Sequence, residues 1–414
     1  MASKSTFKAE SPESCENGCL TYLNRSCVIP QGDEFDSDTT FDDDSVTDTD
    51  DDSTCVGIDD NNSGNEGSLW LGFVRKPKKK SSLLRHSFPD KAGGTPAWLD
   101  PLHLPTGKSF LCDFCEAPLQ FVLQVNAPII GSEFAHYRTI FVFMCLSMAC
   151  LNKDQGEQKM KAREAAWRSV KVFRCQLPMK NPFYKCKDDR NNGCSNHIHL
   201  EAPLCSWCGT WKGQKLCTGC RRVRYCSKTH QQIYHWQSHK ADCKRMSNSD
   251  MHNGDSASAK SERERLECKE TSDSLTSMKG KDEHMNSILE SFNGDDKKKS
   301  LASFQKHLHK DHAQVLRCWL SDGEPLWPEL SGRPSSIDIP NCKYCNGPMR
   351  FEFQIMPQLL YYLRVEREDD PFEKSLDWAT IAVYTCEASC DSAVTYKEEF
   401  PWVQLYEQVS NWSK

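Results

Sequence analysis

Two stretches of the chain alternate apolar and polar positions with a period of two. In one, Leu119, Phe121, Leu123 and Val125 are interleaved with Gln120, Gln124 and Asn126; in the other, Met349, Phe351, Phe353 and Ile355 recur in the same way. That alternation predicts strands with one buried face. Each is followed by a continuous apolar run, TIFVFMC at 139–145 and TIAVYTC at 380–386, which predicts a second strand. Phe304, Leu308 and Leu316 instead recur at helical spacing and predict an amphipathic helix opening the last folded region. The longest apolar run, IFVFMCLSMACL at 140–151, is too short to span a bilayer.

The two alternating stretches belong to longer matching blocks. CDFCEAPLQFVLQVNAP at 112–128 aligns with CKYCNGPMRFEFQIMPQ at 342–358, with identities at both cysteines, Pro118/Pro348, Phe121/Phe351 and Gln124/Gln354. Upstream, GTPAW at 94–98 aligns with GEPLW at 323–327. Three blocks in one order point to an internal duplication. The expected fold class is therefore α+β and β-rich: two related zinc-knuckle and antiparallel-strand halves, 67–182 and 301–414. A hydrophobic fraction of 38% and a mean hydropathy of -0.67 leave too little apolar surface to fold every segment. Residues 1–66, with thirteen acids between Asp33 and Asp60, are expected to be disordered, as is the Ser/Lys/Glu-rich linker 244–300. Residues 183–204 read as a connecting loop. The chain opens on no secretory-type segment, and a soluble protein of cytoplasm and nucleus, without membrane attachment, is expected.

Twenty-three cysteines in a reducing compartment favour metal over disulfides. In each half a C-x2-C pair precedes one strand and a second pair follows the next. Strands delivering pairs at their ends can gather four thiolates, so Cys112, Cys115, Cys145 and Cys150 are one expected zinc site. Cys342, Cys345, Cys386 and Cys390 are another. Between the halves, 205–243 holds eight soft or borderline ligands: Cys205, Cys208, Cys217, Cys220, Cys226, His230, His239 and Cys243. So short a segment cannot bury enough apolar surface to fold alone. Zinc, at about 10–16 kcal/mol per structural site, would supply the folding energy.

This spacing, with the Tyr225-Cys226-Ser227 triplet and the H-x3-C ending, resembles the MYND finger. The resemblance implies two interleaved zinc ions, one on Cys205, Cys208, Cys226 and His230, the other on Cys217, Cys220, His239 and Cys243. The family pattern has Cys where His230 stands, and His235 is a competing imidazole. Residues 205–245 carry nine Lys or Arg against one acid, Asp242, a surface suited to an acidic peptide or to phosphates. Trp207, Trp211 and Trp236 read as packing.

Beyond the finger, the blocks LWLGFV at 69–74, PAWLDP at 96–101, VFRCQLP at 172–178 and DWATIAVYTC at 377–386, in this order, resemble the programmed cell death 2 protein family. The resemblance implies a MYND finger inserted between two related β-rich halves. It also implies a dedicated chaperone that captures a basic small-subunit ribosomal protein of the S5 type for 40S ribosome biogenesis. The acidic N-terminus is not part of that pattern. Sixteen acids against eight bases between Cys318 and Lys414 suit a basic client, since acidic surface screens its charge and steers association. Two other readings are a nuclear transcription or apoptosis adaptor docking proline-containing peptides on the finger, and a nucleic-acid binder using KPKKK at 76–80. A SET-domain methyltransferase would need an NHxC-type motif; Asn196-His197-Ile198-His199 lacks the cysteine. The chain holds no Gly-rich phosphate loop, G-x-S-x-G or H-E-x-x-H, so the expectation is a zinc protein without catalysis. Cys175, Cys186, Cys194, Cys268 and Cys318 stay without a site.

Overall fold

A computed structural model of the chain describes residues 21–28, 69–77, 79–160, 167–184, 201–234, 239–248, 302, 304–305, 308, 312–319, 323–363 and 376–406. Its strands, in chain order, are β1 (Thr21–Val28), β2 (Leu69–Arg75), β3 (Lys91–Ala92), β4 (Gln120–Asn126), β5 (Tyr137–Met144), β6 (Val170–Leu177), β7 (Lys215–Leu216), β8 (Arg224–Tyr225), β9 (Gln314–Trp319), β10 (Met349–Ile355), β11 (Thr380–Cys386) and β12 (Tyr396–Gln404). Ten of them join edge to edge in the order β1-β2-β9-β10-β11-β12-β6-β5-β4-β3 and close on themselves. Neighbouring pairs run antiparallel. β7 and β8 form a separate small hairpin. Helices are few: α1 (Met148–Met160), α2 (Lys228–Tyr234), α3 (Lys240–Asn248) and α4 (Leu359–Leu363) are the described α-helical elements bounded by named residues. Among the described residues no helix is long and apolar enough to cross a membrane.

The alternating stretches became β4 and β10, and the apolar runs became β5 and β11. The two hairpins share fine detail. The β4–β5 register shifts between Phe121 and Leu123, and the β10–β11 register shifts between Phe351 and Phe353. Phe121 meets Phe143 with ring centroids 5.6 Å apart, and Phe351 meets Tyr384 at 5.8 Å. Gln124 Oε1 accepts the Ala97 amide at 2.7 Å, and Gln354 Oε1 accepts the Leu326 amide, also at 2.7 Å. Each glutamine is fully buried. An amide side chain there satisfies a turn that would otherwise bury an unpaired N–H, which costs about 1–3 kcal/mol.

One apolar cluster draws on strands far apart in sequence, from Val122, Ile140 and Val172 to Phe353, Ile381 and Val403. Alternation along β5 sends Ile140, Val142 and Met144 into this shared core and Phe141 and Phe143 to the opposite face. Among the described residues three buried ion pairs stitch the structure: Arg138 to Glu352, Arg174 to Glu399 and Arg168 to Asp154. Arg138 grips Glu352 with both terminal nitrogens, at 2.8 and 2.9 Å, and Thr385 adds a hydroxyl at 2.6 Å. Burial pushes the Glu352 carboxyl up, but Arg138 outweighs it and holds the group down at about 2. A folded value below the ordinary 4.5 means stabilisation present above that value and lost as pH falls toward 2. By that shift Glu352→Gln should cost about 3 kcal/mol at neutral pH. The gap in urea midpoints between wild type and variant should narrow steadily below pH 4.5.

Three expectations need correction. β1 lies inside the segment expected to be disordered; its Thr, Tyr and Val suit extended backbone, and it pairs along β2 from Tyr22↔Arg75 to Val28↔Leu69. Leu316 sits on β9, paired with Gly72 and Ile355, and not on a helix with Phe304. A short apolar run such as QVLRCW satisfies either period, and the open edges of β2 and β10 decide it. Residues 244–248, at the head of the segment expected to be disordered, continue α3 to Asn248, because nothing in KADCKRMSN breaks a helix. The acidic run, Lys78, Cys186, Cys194, His197, His199, His235, Trp236 and most of the linker lie outside the described residues.

Candidate metal centres

Four C-x2-C pairs fold into the same knuckle. The amide four residues after the first cysteine donates to that cysteine's carbonyl: Glu116 to Cys112 at 2.9 Å, Gly209 to Cys205 at 2.8 Å, Arg221 to Cys217 at 3.0 Å and Asn346 to Cys342 at 2.8 Å. Each donor has a left-handed backbone, with φ of 56°, 60°, 54° and 59°. Only Gly209 adopts this without strain, and a Cβ there would approach Thr95 Cγ2 to 3.0 Å. The tight turn aims both sulfurs of a pair to one side.

Second pairs then arrive from elsewhere. Cys145 follows β5 and Cys150 stands in the first turn of α1. Cys386 ends β11, with Cys390 in the loop after it. In the finger, Cys226 and His230 flank the start of α2, while His239 and Cys243 sit at α3. Among the described residues the structure gathers four donor sets: Cys112, Cys115, Cys145, Cys150; Cys205, Cys208, Cys226, His230; Cys217, Cys220, His239, Cys243; and Cys342, Cys345, Cys386, Cys390. Within each set the ligand atoms all lie within 4.8 Å of one another.

The spacing has the size of a zinc tetrahedron. Sulfurs about 2.3 Å from a common zinc stand about 3.8 Å apart, whereas a disulfide needs about 2.05 Å. Cys115 to Cys145 is 3.6 Å, Cys208 to Cys226 is 3.9 Å, and Cys217 to Cys243 is 3.7 Å. Cys342 to Cys390 is 3.8 Å and Cys345 to Cys386 is 3.5 Å. His230 points Nδ1 at Cys226, at 3.2 Å, and His239 points Nε2 at Cys220, at 3.3 Å. The donors therefore fit zinc in chemistry and in reach.

Burial works against a charge on His230, but the sulfurs of Cys205 and Cys208 outweigh it and hold the imidazole up to about 9. Burial pushes the Cys150 thiol to about 11 and the Cys390 thiol to about 12. Packed thiols cannot all ionise together unless a cation sits among them. Zinc, when bound, supplies that charge and keeps every ligand deprotonated.

The finger is welded to the barrel. Trp211 is fully buried among Trp98, Phe110 and Phe143, with centroids 5.6, 5.4 and 4.4 Å away. Its indole donates to the Leu119 carbonyl at 2.7 Å, and Trp98 returns a bond to the Thr210 carbonyl at 2.9 Å. The Ala202 amide donates to Pro101, so the end of the expected connecting loop is part of this seam. The outward side of the finger is basic, with Arg221, Arg222, Lys228 and Lys240 exposed.

A family model of the programmed cell death protein 2 N-terminal domain matches residues 68–191, one of its C-terminal putative domain matches 298–405, and the MYND finger matches 205–243. Programmed cell death protein 2 of Bos taurus is 33% identical over 359 residues, covering 82% of this chain and 96% of that protein. The Rattus norvegicus protein is 32% identical over 81% of this chain and 96% of its own length. The chain belongs to the programmed cell death protein 2 family. Programmed cell death protein 2-like of Homo sapiens is 38% identical over 104 residues, 24% of this chain and 27% of that protein. No solved structure matches. In this family member the MYND finger and the cysteine clusters mark a zinc-binding protein with an interaction module.

Some supporting residues were not singled out in the sequence. Arg174, inside VFRCQLP, bonds Glu399 and reaches the Cys390 carbonyl at 3.3 Å; Glu399 accepts the Cys386 amide at 2.9 Å. This buried pair braces the last cysteine cluster from β6, more than two hundred positions away in sequence, and only its place between apolar neighbours hinted at burial. Cys175 is buried, its thiol pushed by burial to about 12, and Cys318 is half-buried; neither belongs to a donor set.

Proposed function

We propose that this chain is a non-enzymatic binding protein, held together by four zinc ions, that captures a basic small-subunit ribosomal protein of the S5 type on its way into the 40S subunit. The observation that carries the reading is that each donor set is complete. A catalytic zinc keeps one position for water or substrate, and four protein ligands leave none. The ions are then structural, one per set, and recognition is the remaining chemistry. The shared bulge, glutamine bond and aromatic pair support two related halves, with the finger inserted between them. Family membership and acidic surface, including exposed Glu324 and Glu387, support a basic client, met in the cytoplasm or nucleus.

Deleting the finger would not separate this reading from the adaptor reading, because Trp211 belongs to the barrel's packing. Surface charge reversals do separate them. The tagged full chain should recover an S5-type ribosomal protein from cells. Glu324→Lys with Glu387→Lys should weaken that recovery, and Arg221→Glu with Arg222→Glu should leave it intact. The opposite pattern, or a wild type that recovers no ribosomal protein, overturns the client.

A further inference from the structure

A cavity of about 580 Å³ lies between the short helical turns at Lys80–Leu83 and Arg85–Ser87, the barrel, and the chain leading into the finger at Glu201 and Ala202. That is the size of a small-molecule site. Leu83, Leu84, Pro96 and Trp98 give it apolar walls. Three cations line it, Lys80, Arg85 and Lys91, against one acid, Glu201, which Arg85 already holds. Lys91 decides the chemistry. It stands on β3 and is only 3% exposed. Its ammonium has three donors and gives one to the Thr95 carbonyl at 2.6 Å; among the described residues no acid pairs with it. Burial lowers the group to about 8, so it remains a cation at neutral pH. A buried cation without a counter-charge is costly, and an anion brought beside it relieves that cost.

We infer that this cavity binds a small carboxylic acid with an apolar body, its carboxylate on the Lys91 ammonium and its body against Leu83, Leu84, Pro96 and Trp98. The two remaining donors of the ammonium suit a carboxylate, whose oxygens accept without donating. Hydrogen bonds between charged groups are about twice as strong as neutral ones. A bare inorganic anion would leave the apolar walls wet, and a neutral apolar molecule would leave the ammonium without its counter-charge. Arg317 offers a contrast. It is the register partner of Gln354 as Lys91 is of Gln124, and it is buried too. Arg317 donates to Gln314 Oε1 at 2.7 Å and has no part in the cavity wall. The inference rests on the cavity alone and holds whatever the client is.

The test titrates the zinc-loaded full chain with phenylacetate, 1-naphthaleneacetate and decanoate in a calorimeter, with the neutral amide of each and inorganic phosphate as comparisons. At least one carboxylate should bind, about tenfold or more tightly than its own amide, as a hydrogen bond to a charged group implies. Lys91→Met should erase that preference and bring the carboxylate down to the level of the amide. This variant removes a buried charge, so it should keep the wild-type zinc content. Leu84→Glu, at a position 51% exposed, adds an acid to the wall and should weaken the carboxylate while sparing the amide. Arg317→Met should leave both affinities unchanged. Failure of all three carboxylates to bind, equal affinity for acid and amide, phosphate binding as tightly as the best carboxylate, or a preference that survives Lys91→Met would overturn the proposal.

Discussion

Trp211→Ala should lower stability by about 3–5 kcal/mol, a large share of the roughly 5–15 kcal/mol that folded domains have. The ring is wholly buried and its removal leaves a void between Trp98, Phe110 and Phe143. The Leu119 carbonyl also loses its donor. Zinc would still fold the finger locally, so the finger should come loose from the barrel with its own metal retained. Urea unfolding followed by circular dichroism should show a lower midpoint and a second, separate transition. Trp211→Phe, which keeps most of the ring contacts and loses the hydrogen bond, should cost about 1–3 kcal/mol. A Trp211→Ala midpoint equal to wild type would mean that the finger is not docked through this residue.

Arg174→Met should do comparable damage for a different reason. Arg174 and Glu399 are both essentially inaccessible to solvent, so removing the guanidinium strands a buried carboxylate, at about 3–5 kcal/mol. It also removes the donor that meets the Cys390 carbonyl, where the metal cluster depends on its loop being held. Loss of such an outer support commonly weakens a metal site about 10- to 100-fold. In chelator competition the ion on Cys342, Cys345, Cys386 and Cys390 should leave first in this variant. Arg174→Met combined with Glu399→Leu should recover most of the stability, since an apolar pair of similar volume is often neutral in such places. Equal losses in single and double variants would show that the ion pair is not the cause.

Much of this architecture could be read from the residues. The period-two stretches became β4 and β10, and the ligand sets came together as grouped by spacing and by resemblance. Knuckle spacing is local chemistry, and alternation marked the strands, but the single buried face it implied is not found: β4 is buried on both faces from Phe121 to Val125, and its bulge turns Phe121 away from the core that takes Leu123 and Val125. What escaped was non-local. β1 has too few apolar residues in its surroundings to stand out, and its pairing is decided by an edge some 40 residues away in sequence. Leu316 fitted a helical period by coincidence of three positions, while β2 and β10 offered it a sheet. Trp211 was legible as packing, but not that it packs against Trp98 across more than a hundred positions. Arg174 and Glu399 are ordinary charges in sequence and become a buried pair only when β6 meets β12.

The central claim is that metal holds both the finger and the barrel. Native mass spectrometry of the full chain, purified without chelator and calibrated by elemental zinc analysis, measures it directly. Four zinc ions per chain is the result this account predicts, falling to three in Cys112→Ser with Cys115→Ser and to three in Cys342→Ser with Cys345→Ser. Two ions in the wild type, unchanged in both variants, would confine the metal to the finger and contradict the account.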